Sequence, residues 1–211
     1  MRKSHTTRGV ATRGFTLIEI MVSLSIFTVV AVIAVGAFLK IIDANKQSQA
    51  LQTAMNNTSF ALESMVREMR VGSNYDCFNA ASTVSSPLPT GTTVCNLGAY
   101  ATSGIAFISS TKSADLACNL IHAYRLSPTT NVLEKAEQTT CSDTSWTTNF
   151  VPLTSTDLHI LAFKVKVDGQ NTSIPHTQPK VFMTIQAYSG PTQSERTYFT
   201  VQTTASQRSM N

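Results

Sequence analysis

The hydrophobic rhythm of the chain changes twice. From Ile20 to Leu39, 20 consecutive residues carry no charge, and apolar side chains fall on every side of any helix they form. A segment that is greasy all round belongs in a core or a membrane. At about 1.5 Å per residue it would span ~30 Å, the thickness of a bilayer's hydrocarbon core. No proline interrupts it, since the first in the chain is Pro87. Beyond Lys40 the pattern becomes one-sided. Leu51, Met55, Leu62, Met65, Val66 and Met69 recur at helical spacings among polar residues, predicting an amphipathic stripe packed on a sheet. Glu63 and Arg67 stand four apart in the favourable order. Gly72 is the natural stop, with Arg67 and Arg70 in the last turn. One helix is therefore expected from about Thr16 to Val71. Gly36 is its weak point, costing ~1 kcal/mol relative to Ala.

After Gly72 the period shortens. Residues 82–94 are rich in Ser, Thr, Pro and Gly and read as a loop. Short β-prone runs follow at Gly104–Ser109, Leu120–Leu126, Val132–Ala136, Leu158–Val167, Lys180–Ala187 and Arg196–Thr203. Leu161, Phe163, Val165 and Val167 alternate with Ala162, Lys164 and Lys166, which predicts a strand with the first set buried. The last two runs are expected to form a hairpin through residues 188–195. The fold class expected is α+β: one long N-terminal helix packed on antiparallel β-sheet.

Charge sharpens this picture. The 211 residues hold 16 Lys+Arg against 12 Asp+Glu, a formal net charge of +4. Arg2, Lys3, Arg8 and Arg13 account for the whole excess, and residues 1–14 contain no acid. The rest is formally neutral, which argues against strong electrostatic DNA binding. Cations on the N-terminal side of an apolar span predict that this end is cytoplasmic. A cleaved secretory signal fits poorly, because its apolar stretch is usually shorter and precedes the cleavage site. Glu19, at the front of the span, is costly in hydrocarbon unless hydrated or paired with a cation. A cut between Gly14 and Phe15 would create an α-amine close to it. Within one helix the two groups are poorly placed to pair; between staggered neighbours they can meet.

The string Arg13-Gly-Phe-Thr-Leu-Ile-Glu19, with a basic leader before it and the apolar run after it, resembles the N-terminus of type IV pilins and type II secretion pseudopilins. The resemblance implies a pilin-like fold, cleavage by prepilin peptidase after Gly14, N-methylation of Phe15, and pairing of Glu19 with the Phe15 amine of an adjacent subunit. It implies four segments: leader 1–14, transmembrane and assembly helix 15–39, amphipathic helix 40–72, and a β-rich periplasmic or extracellular domain over 73–211. The expected partners are prepilin peptidase, other pilin or pseudopilin subunits, the inner-membrane assembly platform and membrane lipid. No specific nucleic acid partner is expected. The protein would sit as a single pass in the inner membrane and then enter a pilus or pseudopilus. Residues 61–70, Leu153–Ser155 and Val201–Arg208 are similar to minor subunits of the J-type pseudopilin and W-type pilin group, which implies a role in initiating or capping the filament. The alternative is a pilin-like surface subunit for adhesion, DNA uptake or secretion-substrate recognition.

Cys77, Cys95, Cys118 and Cys141 all follow the apolar span. An even number on an oxidising side predicts two disulfides, with three connectivities possible. Cys77–Cys95 and Cys118–Cys141 are favoured because each closes a local loop, stabilising by ~3 kcal/mol in the chain-entropy model. No CxxC occurs, and Asp143, Asp157 and Asp168 are isolated, so no metal is expected. His5 lies in the leader; His122 and His159 fall in β-prone runs, and His176 outside them. No nucleophile elbow, zinc-protease motif or phosphate loop is present, so neither enzyme activity nor a cofactor is expected.

Overall fold

A computed structural model describes residues 14–79, 89, 95, 104–112, 118–140, 142, 148–169, 178–190, 193 and 196–208. These form helix α1 (Leu17–Val71) and strands β1 (Ser73–Phe78), β2 (Gly104–Lys112), β3 (Asn119–Leu126), β4 (Leu133–Glu137), β5 (Val151–Pro152), β6 (His159–Asp168), β7 (Lys180–Ser189) and β8 (Thr197–Ser206). The α+β class is as expected. The chain falls into two compact units divided between Lys46 and Gln47.

In the first unit, Thr16 caps α1. The backbone N–H of Glu19 lies 3.3 Å from Thr16 Oγ1 and 3.1 Å from its carbonyl oxygen, so Glu19 occupies the third helical position. The two hydroxyls of Ser25 and Thr28 donate back to the carbonyls of Met21 and Leu24, at 2.8 and 2.5 Å. This back-bonding satisfies them within the helix and keeps the span compatible with hydrocarbon. Its most apolar 18-residue window has a mean hydropathy of 2.5 and buries none of its residues. That separates it from the core helix of a globular domain.

In the second unit, α1 buries Ala54, Thr58, Ala61, Leu62, Met65 and Met69. Leu62, Met65 and Met69 are buried as expected, but the first part of the stripe is rotated. Met55 is exposed, and Leu51 and Val66 are half-buried. Ala54, Thr58 and Ala61 take the centre because small side chains let the helix approach the sheets closely, while Met65 and Met69 fill the space beyond. The Thr58 hydroxyl donates to the Ala54 carbonyl at 2.8 Å, so its burial leaves no hydroxyl unpaired. Each fully buried Met or Leu contributes ~1.5–3 kcal/mol.

Two antiparallel sheets receive this stripe. One has strand order β1-β2-β3-β4-β5, the other β6-β7-β8. The β7–β8 hairpin runs through ten consecutive pairs, Lys180↔Ser206 to Ser189↔Thr197. In β6 the expected alternation holds only from Phe163 onward. The register shifts between Ile160 and Ala162, and this bulge places Ile160 inside and Leu161 outside. β1 lies in a stretch that the sequence pattern left unassigned. Asn74 has φ 51°, beside the register shift between Ser73 and Asp76, so a left-handed residue breaks the period. The five-stranded sheet also carries a smaller apolar cluster on its other face, with Ala106, Ile121, Ala123 and Ala136 against Phe78 and Phe150.

The end of α1 is fixed from several sides. The Tyr75 hydroxyl lies 2.5 Å from the Met69 carbonyl oxygen and 2.9 Å from that of Gly72. The Arg208 N–H donates to the Arg70 carbonyl at 2.6 Å. These contacts satisfy terminal carbonyls that the helix cannot pair itself. Gly72 stops the helix with a negative φ, so its role is close approach. A Cβ there would lie 2.4 Å from Phe107 Cδ2, and Phe107 is fully buried. Gly72→Ala should therefore cost ~1–3 kcal/mol through overpacking. Thermal unfolding of the two proteins side by side checks this, with Gly36→Ala as control, since its Cβ meets nothing within 4 Å.

Candidate functional site

The expected processing site is sterically open. Gly14 precedes α1, and a Cβ built on it meets nothing within 4 Å. The fold itself therefore does not demand glycine at this position. Phe15 is 78% exposed, although an aromatic side chain of its size ordinarily finds cover. Glu19 lies one turn later, also exposed, and among the described residues it pairs with no cation. The cap that ends the helix at Thr16 separates it from Phe15. Among the described residues, the arrangement presents one large apolar group, one carboxylate and a long apolar span without a partner for any of them.

A second polar constellation forms where α1 meets the five-stranded sheet, and the sequence pattern did not reveal it. Glu68 Oε2 lies 2.6 Å from His122 Nδ1 and 2.6 Å from the Tyr124 hydroxyl, which donates to it. Glu68 Oε1 accepts from Lys135 Nζ at 2.5 Å, and Lys135 also pairs with Glu137. The strand register explains the convergence. His122 and Tyr124 are two apart on β3 and share a face, and they stand opposite Glu137 and Lys135 of β4. A hairpin read with Leu126 opposite Leu133 would have placed these four together. Glu68 was missed because its partners lie 54, 56 and 67 residues away. Phe107 lies beneath, with ring centroids 5.9 Å from His122 and 6.2 Å from Tyr124.

Burial pushes the Glu68 carboxyl up, but hydrogen bonds from His122, Lys135 and Tyr124, with the Lys135 charge, outweigh it and hold it at about 2. Burial and the adjacent Glu68 carboxylate push the Tyr124 hydroxyl up, so it remains a donor. Burial opposes the charge on Lys135, yet its two carboxylate partners raise its pKa. One donor atom each from Glu68, His122 and Glu137 lie within 4.8 Å of one another, a separation that a metal ion could bridge. The Lys135 ammonium already stands between the two carboxylates and supplies the neutralising charge. The cluster can thus tie the helix to the sheet, and nothing in it is arranged as a nucleophile with its base.

Cys77 on β1 and Cys95 form a disulfide. The Val167 N–H of β6 donates to the Cys95 carbonyl at 3.2 Å, which links this bridge to the three-stranded sheet. Cys118 is also disulfide-bonded. Its expected partner, Cys141, lies outside the described residues, as do Asp143, His5 and His176. His159 stacks on Tyr188 with centroids 5.0 Å apart. Asp157 is held by Ser155, and Asp168 by Lys166. Glu63 and Arg67 pair at 3.3 Å, both exposed, an interaction worth little.

The Glu68 cluster makes stability depend on acid. Its folded pKa is depressed below the ordinary 4.5, so the unfolded chain takes up the proton first. The contribution is complete above the unfolded pKa and is lost as pH falls from about 4.5 towards about 2. Glu68→Gln should cost ~2–4 kcal/mol at neutral pH, by leaving Lys135 and His122 short of their shared acceptor. Denaturant titrations at pH 7 and pH 3 should find the gap between variant and parent shrinking in acid.

Residues 11–35 match a family model described as the prokaryotic N-terminal methylation motif. Neither the curated proteins nor the solved structures gave a match to the chain. The matched stretch contains Gly14, Phe15, Glu19 and most of the apolar span. The chain thus carries a prepilin-type N-terminal motif ahead of a membrane-compatible helix, and this supports a place in the type IV pilin and pseudopilin family.

Proposed function

We propose that this protein is a minor pilin or pseudopilin, a non-catalytic structural subunit that enters a filament through the first half of α1. The observation that carries the reading is the methylation motif at residues 11–35 leading into a helix whose most apolar window is uncovered among the described residues. Prepilin peptidase removes residues 1–14, and the new Phe15 amine is methylated. Glycine at position 14 suits this role, since among the described residues nothing packs there. Before assembly the span rests in the inner membrane, with the leader on the cytoplasmic side and the β-rich part on the other. Segments 15–39, 40–72 and 73–211 then serve as assembly helix, helix of the globular part and exposed domain.

In the assembled state each span exchanges lipid for neighbouring spans. Glu19 then meets the Phe15 amine of an adjacent subunit, where low dielectric strengthens the pair. The initiating or capping role of a minor subunit follows from the similarity of residues 61–70, Leu153–Ser155 and Val201–Arg208 to J-type and W-type subunits. Partners on this reading are the peptidase, other subunits, the assembly platform and lipid. In cells lacking the chromosomal copy, Glu19→Ala should be processed like the parent yet be depleted from sheared filaments by about tenfold or more, as expected for the loss of a desolvated charge pair. Immunoblots of membrane and filament fractions measure this, and filament counts report initiation. Full incorporation would show that the carboxylate makes no assembly contact.

A further inference from the structure

The outer edge of β8 stands apart from the other strand edges. Among the described residues β8 pairs only with β7, so one row of its backbone N–H and C=O groups faces outward. Natural edges are usually blunted by charge, proline, a bulge or shortness. β8 has none of these: its ten residues, TYFTVQTTAS, hold no charge and no proline, and the ladder to β7 runs without a register shift. The core is also open at this edge. On β7 the inward row Val181, Met183, Ile185 and Ala187 is buried, whereas Phe199 and Val201 on β8 are only partly so.

Two hydrogen bonds tie α1 to the two ends of this segment. Gln47 Nε2 donates to Thr197 Oγ1 at 2.8 Å at one end, and the Arg208 N–H donates to the Arg70 carbonyl at the other. Where helix and strand finish, a cavity of about 610 Å³ opens, lined in part by Val66, Arg67, Arg70, Val71 and Arg208. Among the described lining residues Glu63 is the single acid and pairs with Arg67, so the guanidinium groups of Arg70 and Arg208 face no acid in that lining.

We infer that the β8 edge is a docking surface for an extended segment of another protein chain, added as a further strand, with a carboxylate seated among Arg67, Arg70 and Arg208. The backbone row supplies the ladder, Phe199 and Val201 ask for apolar side chains on alternate positions, and the arginines set the charge at one end. The proposal concerns β8 and its flank, and it can fail or hold irrespective of cleavage at Gly14.

The test uses the full chain in detergent micelles and labelled ten-residue peptides, matched to the length of β8. One alternates valine and threonine and ends in two aspartates; the second ends in two lysines; the third is the acidic peptide with a central proline. Fluorescence anisotropy should give about tenfold tighter binding of the acidic than of the basic peptide, a difference of ~1.4 kcal/mol. The proline peptide should lose most of its binding, because it cannot donate at that rung. Arg70→Glu with Arg208→Glu, both at the surface, should reverse the charge preference, with unchanged thermal unfolding as the folding control. Hydrogen exchange should slow at β8 amides when the acidic peptide is bound. Equal binding of all three peptides, no binding of any, or full tolerance of proline would overturn the proposal. Self-association through β8, abolished by Thr200→Lys, would assign the edge to a second copy instead and overturn the choice of partner.

Discussion

A helix that buries none of its apolar half needs a solvent other than water. The most apolar window of α1 is uncovered among the described residues, and the hydroxyls of Ser25 and Thr28 donate to the helix's own carbonyls. Such a span fits hydrocarbon by length and composition. The other features of the N-terminus acquire their meaning from this constraint. A carboxylate at the third position of such a helix is expensive in lipid and useful in a bundle where an amine can reach it. A threonine cap begins the helix immediately before that carboxylate, and an exposed phenylalanine precedes the cap.

From Gln47 onward α1 meets the opposite demand, since it must be held firmly by its own chain. Small residues at Ala54, Thr58 and Ala61 let it approach the sheets, and Met65 and Met69 fill the space. Glu68 then adds a directional tie that apolar packing lacks. One carboxylate accepts from three side chains of a single hairpin, and Lys135 reaches Glu137 as well. The disulfide between Cys77 and Cys95, with the Cys95 carbonyl bonded to β6, joins the two sheets from another side.

Much of this was legible in the sequence, for physical reasons that can be named. Twenty uncharged residues can be counted, and the start and stop of α1 fall within one residue of expectation because Thr16 and Gly72 carry real local signals. The β7–β8 hairpin was legible from alternation and a turn. Other features depended on long-range geometry. Leu62, Met65 and Met69 follow the helical period, whereas the first part of the stripe turned to Ala54, Thr58 and Ala61 because sheet proximity, which no periodicity encodes, outweighed side-chain size. Leu161 was misplaced by a bulge, and β1 was hidden by Asn74 in a left-handed conformation. The Glu68 cluster joins a helix to strands more than fifty residues away, and Glu68 sits in a charge series that reads as a solvated face. The motif at residues 11–35 is local and therefore readable; the surfaces of the β-rich part arise only on folding.

On the proposed reading, the working protein begins at Phe15 and its free amine is methylated. Intact-mass analysis and N-terminal fragmentation of the protein purified from membranes of its own cells test this most directly. The predicted result is a chain that lacks residues 1–14 and carries a single methyl group on the Phe15 nitrogen. A protein that retains Met1, or one cut at another position with an unmodified amine, would contradict it.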